Sequence, residues 1–177
     1  MPNLELELTY LASAIPEGIK NTTPKRLTDV YIPEQMNIHA RLRIRQKGHS
    51  FTMTKKVPVE SGDASKQNEF DIPLDEIEFQ NLIKVSSRRV VKDRYEIELA
   101  GRTAEVDVFK EELEGLVVID FEFAAEEEQK KFIAPAECLA DVTQEDFIAG
   151  GNLAGLQYQD IIKHLDRFNY KKLQMHE

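Results

Sequence analysis

Glu5 and Glu7 alternate with Leu4, Leu6 and Leu8, and Thr9 takes the next polar place in the same pattern. Further along, Arg41, Arg43 and Arg45 alternate with Leu42 and Ile44, Lys55 and Lys56 follow, and Lys92 and Arg94 stand on either side of Asp93. Acids then return in pairs: Glu105 and Asp107 against Val106 and Val108, and Asp120 and Glu122 against Phe121 and Phe123. Arginine suits phosphate because its planar fork makes parallel hydrogen bonds to phosphate oxygens and keeps its proton. Several such cations together suit a polyphosphate better than a single phosphate. Carboxylates in the same site repel that ligand unless a cation lies between them, and Mg²⁺ is held by one or two carboxylates plus phosphate oxygens. A divalent metal therefore makes the acid pairs compatible with the basic ones, provided that both face one space. The same alternation also marks the solvent faces of antiparallel sheets whose Glu and Arg pair across strands, and spacing alone leaves both readings open.

The elements that must carry these residues are strands, because charge alternates with apolar residues at a period of two. A first strand runs from Leu4, and a long polar, proline-punctuated connection leads to the arginine strand. Gln46-Lys47-Gly48-His49 reads as a hairpin turn into Phe51 to Lys56. Residues 57–73, with Pro58, Gly62, Asp63, Ser65 and Pro73, read as loop, and Asp75 to about Val85 as a helix with an acidic first turn. Tyr95 to Leu99, Ala104 to Phe109 and Leu116 to Phe123 read as an antiparallel meander. In the tail, Ala124 to Phe132 is a charged helix whose solvated start is Glu126 to Glu128, and Gln144 to Ala149 is a short helical turn. Gly150-Gly151-Asn152 reads as a helix-terminating turn, and Tyr158 to Phe168 as an amphipathic helix on Ile161, Ile162, Leu165 and Phe168. A barrel of about eight strands has an interior just wide enough for side chains or one small ligand.

The 177 residues, 41% of them hydrophobic, suit a single domain over 1–177 that includes the C-terminal helix at about 157–169. No stretch approaches the roughly 20 apolar residues of a membrane helix, and the N-terminus lacks a signal peptide's pattern, so the chain reads as soluble and cytoplasmic, with no membrane partner. A net charge of −9 argues against nucleic acid and requires that any polyanion meet a local basic site. Cys138 is the only cysteine, which excludes an internal disulfide and a cysteine zinc site and leaves a buried structural thiol. His39, His49, His164 and His176 lack metal-ligand spacing and read as surface or structural groups. There is no G-x-S-x-G elbow, P-loop or dinucleotide fingerprint. Arg88 and Arg89 are open between rim contacts for a polyanion and plain surface charge. A homodimer is a possible assembly.

Taken in order, these segments resemble the CYTH, or triphosphate tunnel metalloenzyme, family over Leu4 to about Leu153. Glu5-Leu6-Glu7-Leu8-Thr9 matches the two glutamates of the family's E-x-E-x-K strand and departs at the lysine. Leu42-Arg43-Ile44-Arg45 is similar to its L-R-I-R, Phe51 to Lys56 to its T-x-K with Lys56 or Lys55 as the lysine, and Lys92-Asp93-Arg94-Tyr95 to its K-x-R-Y. Glu105 to Phe109 resembles its acidic strand, and Gly115 to Glu122 its G-L-x-x-x-E-x-E, with Asp120 in place of the first glutamate. Asp141-Val142-Thr143 with Asn152-Leu153 resembles its E-V-T and asparagine region.

The resemblance implies an α+β fold: an antiparallel closed or nearly closed β-barrel forming a tunnel, with helices packed outside. Members hydrolyse inorganic triphosphate or thiamine triphosphate, or act as class IV adenylate cyclases, with Mg²⁺ or Mn²⁺. By the same resemblance Glu5, Glu7 and Glu122 are metal ligands with Asp120 behind them, and Asp107 binds metal or orients a basic residue. Arg43, Arg45, Lys55 or Lys56, Lys92 and Arg94 hold phosphate oxygens, and Glu5, Glu7, Lys56 and Arg94 form the catalytic set. The family lysine missing at Thr9 belongs to the group at the reacting phosphate. A threonine hydroxyl brings no positive charge there, which keeps a noncatalytic polyphosphate-binding role beside a triphosphatase or a cyclase.

Overall fold

The computed structural model describes residues 2–175. Nine strands account for the alternating segments: β1 (Asn3–Ala12), β2 (Lys25–Ile32), β3 (Leu42–Lys47), β4 (Ser50–Pro58), β5 (Lys66–Leu74), β6 (Arg89–Leu99), β7 (Arg102–Phe109), β8 (Val117–Glu122) and β9 (Cys138–Asp141). All pairings are antiparallel and run β5-β4-β3-β2-β6-β7-β8-β1, and β5 pairs again with β1, so eight strands close into a barrel. The short β9 adds to β1 beyond the point where β5 leaves it. The hairpin at Gly48 lies where expected, with φ of 59° at that glycine, a conformation open to a residue without a side chain.

Charged faces turn inward, so the apolar faces are buried outside the barrel. Leu6, Tyr10, Tyr95, Ile97, Val106, Ile119 and Phe121 pack under a short 3₁₀ helix carrying Ile19 and under Phe132, which follows α2 (Glu126–Lys130). α1 (Glu76–Leu82), opened by an Asp75–Glu78 capping box, places Phe79 on Val30 and Ile44. At one end of the barrel the inward positions turn apolar: Leu11 follows Thr9, Val118 precedes Asp120, Phe109 follows Asp107 and Val90 precedes Lys92. These residues pack with Leu153 of α3 (Gly150–Leu153) and with Ile161 and Leu165 of α4 (Tyr158–Asp166), so helices cover that end. Among the described residues no helix is long and apolar enough to cross a membrane.

Several readings of the sequence need correction. The stretch read as loop contains β5, and the polar connection contains β2. Pro73 breaks the strand pattern, but its register partner is Thr52 on β4, late in β5 where the strand has parted from β1, so a missing N–H is tolerated. Gly150-Gly151-Asn152 opens α3 instead of ending a helix; a Cβ on Gly151 would collide with the Ala40 carbonyl and one on Gly150 with the Tyr31 hydroxyl. Cys138 is half-buried, and burial pushes its thiol up to about 12. Arg88 is neither rim nor surface: it is 2% exposed and donates to the carbonyls of Pro33, Gln35, Ile38, Gly151 and Ala154. Arg89 is exposed and pairs with Glu111.

Arg88 thereby ties the 33–38 segment to α3, with no carboxylate partner among the described residues. Removing the guanidinium leaves the buried carbonyls of Gly151 and Ala154 without that donor, each worth about 1–3 kcal/mol, and frees three partly buried ones at 33–38. Arg88→Ala is expected to lower unfolding free energy by at least about 3 kcal/mol, measured by urea denaturation.

Candidate functional site

Inside the barrel lies a cavity of about 430 Å³, within the range of small-molecule sites. Alternation in each strand decides what faces it. β1 presents Glu5, Glu7 and Thr9, β3 presents Arg43 and Arg45, β4 presents Lys56, and β6 presents Lys92 and Arg94; Glu105 comes from β7, and Asp120 and Glu122 from β8. Lys55 is excluded by the same alternation: Thr54 and Lys56 point inward, so Lys55 lies exposed on the outer face and cannot hold a ligand in the tunnel. Arg41 lines the cavity, as does His39. His49 is exposed, His164 stacks on Phe147 outside the barrel, and His176 lies outside the described residues.

The acidic side of the cavity gathers Glu5, Glu7 and Glu122, each offering a carboxylate oxygen within 4.8 Å of the others. Lys56 Nζ lies 2.5 Å from Glu5, 3.7 Å from Glu7 and 3.8 Å from Glu69. Burial, reinforced by the Glu7 charge, pushes the Glu5 carboxyl up to about 8. Burial also raises Glu122, helped by Glu105 and Glu7. For Glu7 burial is outweighed by Lys56, Arg94 and Lys92, which hold it below the usual carboxylate range. Three oxygens of this kind could hold a hard divalent cation, which would relieve their mutual repulsion. Asp120 lies outside the cluster; it is buried, raised well above the usual range by burial and by Glu7 and Asp107, and sits 3.6 Å from Arg94.

The cations of the cavity are held in fixed poses by acids beside them. Arg45 makes two bonds of 2.7 Å to Asp29. Arg94 reaches Asp107 through Nε at 2.7 Å and Nη2 at 2.6 Å, and its third nitrogen donates to Glu105. Lys92 also donates to Asp107. Asp107 is 0% exposed with both oxygens occupied, so of its two expected roles the geometry is that of a residue orienting Lys92 and Arg94. Arg43 has a weaker contact, 3.4 Å to Glu69, and its buried Nε has no partner among the described residues.

Sequence reasoning missed Asp29, Tyr31 and Glu69, which also line the cavity, because β2 and β5 read as connection and loop. The run Thr28-Asp29-Val30-Tyr31-Ile32, β-branched and aromatic just before Pro33, is the usable signal. Burial opposes ionisation of Asp29, but Arg45 prevails and holds its carboxyl at about 2. A depressed carboxyl contributes stability above its unfolded value of about 3.9 and loses it as pH falls through the folded value. Wild type is therefore expected to lose about 2 kcal/mol from this group between pH 4 and pH 2. Asp29→Asn should lack that increment, read as a difference in the two proteins' urea midpoints against pH.

An antiparallel barrel whose inward acids and bases line one cavity defines a class of charged-tunnel proteins, and the comparisons with known proteins agree. The family model of the CYTH domain matches residues 4–145, and the chain belongs to that family. The inorganic triphosphatase of Nitrosomonas europaea is 32% identical over 143 residues, covering 80% of this chain and 90% of that protein. A solved inorganic triphosphatase structure superposes with a TM-score of 0.61 at 28% identity, over 85% of this chain and 93% of the other. A candidate adenylate cyclase from Bacillus halodurans shares the fold, with a TM-score of 0.55 at 18% identity over 99% of this chain and 95% of that one.

Proposed function

We propose that this chain hydrolyses inorganic triphosphate with Mg²⁺ or Mn²⁺ held at Glu5, Glu7 and Glu122. The observation that carries the reading is that these three carboxylates and the cations Arg43, Arg45, Lys56, Lys92 and Arg94 all face one cavity inside the barrel. Acidic residues lining it outnumber basic ones, so a polyanion gains little without an added cation. A divalent ion bound there would neutralise phosphoryl charge and help activate water. Arg43 and Arg45 bind one part of the phosphate chain, and Lys92 and Arg94 another. Asp29 and Asp107 preset Arg45, Lys92 and Arg94, so little reorganisation is needed as charge develops on the transferring phosphoryl group. Lys56 brings positive charge to Glu5 and Glu7 although Thr9 replaces a lysine.

The helices over one end of the barrel favour a short chain over long polyphosphate. Support for hydrolysis also comes from the similarity to the Nitrosomonas europaea triphosphatase. Phosphate release from triphosphate, with and without Mg²⁺ or Mn²⁺, tests the reading: release that requires metal is expected.

A second reading, a noncatalytic triphosphate binder, is favoured by Thr9, whose hydroxyl donates to Glu7 at 3.2 Å and carries no charge. Thermal stabilisation by triphosphate without phosphate release would establish it. Cyclic AMP formed from ATP would instead identify a cyclase.

A further inference from the structure

Along one edge, β1 pairs with β5 as far as Leu6 and with β9 from Tyr10 onward. Glu7, Leu8 and Thr9 therefore have no strand beside them on that edge, in the segment that aims Glu7 into the cavity. A strand's unpaired amides and carbonyls need partners if they are shielded from water. Two side chains supply them. Thr143 Oγ1 accepts from the Thr9 amide at 3.0 Å, and the hydroxyl itself donates to Asp141 Oδ1 at 2.6 Å. Gln129 Nε2 donates to the Glu7 carbonyl at 3.2 Å and to the Ser65 carbonyl at 3.1 Å, while the Ser65 carbonyl accepts from the Glu7 amide at 3.0 Å. The Val142 amide completes the set by donating to the Thr9 carbonyl at 2.9 Å.

We propose that Thr143 and Gln129 are positioning residues that replace the absent strand and fix the backbone of Glu7 and Thr9, and so the placement of the acidic cluster. The inference rests on the metal-dependent triphosphatase reading. It also accounts for the Asp141-Val142-Thr143 segment, in which Asp141 orients the hydroxyl whose oxygen receives the Thr9 amide. Gln129 does not line the cavity; Thr143 borders it, with its hydroxyl committed to the Thr9 amide and to Asp141. Supporting groups of this kind change metal affinity about 10- to 100-fold when removed.

The test compares Thr143→Val, which keeps the shape and loses the acceptor, with Thr143→Ser, which keeps the acceptor, and with Gln129→Leu. Three readouts are taken on the full chain: the Mn²⁺ concentration giving half-maximal triphosphate hydrolysis, the Mn²⁺-induced shift in melting temperature, and amide hydrogen exchange at Thr9. Thr143→Val and Gln129→Leu are each expected to raise the Mn²⁺ requirement about tenfold, with kcat at saturating metal changed less than about threefold. Thr9 exchange should accelerate in Thr143→Val while Leu8, whose amide faces Phe121 on β8, stays protected. Thr143→Ser should restore all three values to within about twofold of wild type. An unchanged Mn²⁺ requirement in Thr143→Val, or a Ser variant as impaired as the Val variant, would overturn the positioning role while leaving the triphosphatase reading intact. Wild type that neither hydrolyses triphosphate nor is stabilised by Mn²⁺ would overturn both.

Discussion

Glu5→Gln combined with Glu122→Gln is expected to reduce metal-dependent triphosphate hydrolysis by at least about a hundredfold while the protein stays folded. Both carboxyls are raised by burial and by neighbouring acids, so their ionised forms are disfavoured unless a cation lies among them. Glutamine keeps the shape and removes the repulsion, so folding stability should hold or rise. What disappears is two of three closely placed anionic oxygens. Activity in Mn²⁺ titrations and the melting temperature without metal would be measured together. A variant of full activity would remove these residues from the metal site; one that unfolds would show that Lys56 needs Glu5 as its counter-ion.

The second large effect concerns the basic wall. Arg43→Ala with Arg45→Ala should abolish the rise in melting temperature that triphosphate causes. Arg45 cannot be removed without attention to its partner, because Asp29 is 1% exposed and would be left as an unpaired buried charge, a cost of about 3–5 kcal/mol. Adding Asp29→Asn removes that charge, and the triple variant is the better test of binding. Differential scanning fluorimetry against triphosphate reads it directly. A ligand shift equal to that of wild type would show that the phosphates lie elsewhere.

The parts of the fold legible in sequence are those where one face of a strand is charged and the other apolar. β1, β3, β7 and β8 have that pattern, and their inward residues follow from parity alone. β5 lacks it: Phe70 and Ile72 are 45% and 52% exposed on the outer surface, so no buried face imposes an alternation. Asp29 is invisible for a related reason, since a single inward acid among Thr28, Val30 and Ile32 makes no repeating signal. Lys55 and Lys56 show the opposite problem, as adjacent lysines fit the pattern equally well until the hairpin register places Lys56 beside Glu69. Arg88 carries no local mark at all: its acceptors come from two segments distant in sequence. The break in β1 pairing is also unreadable, because it depends on where β5 departs and β9 arrives.

The central claim, that acidic and basic walls of one tunnel share a triphosphate through a divalent cation, is tested most directly by the wild-type melting temperature against triphosphate with and without Mg²⁺ or Mn²⁺. A native-state ligand at a hundredfold excess over its Kd adds about 2.7 kcal/mol, which for a chain of this size is a rise of about 5–10 °C. That rise is expected with triphosphate and metal together and should be much smaller with either alone. No rise with the pair, at concentrations that stabilise a known triphosphate-binding protein, would contradict the account.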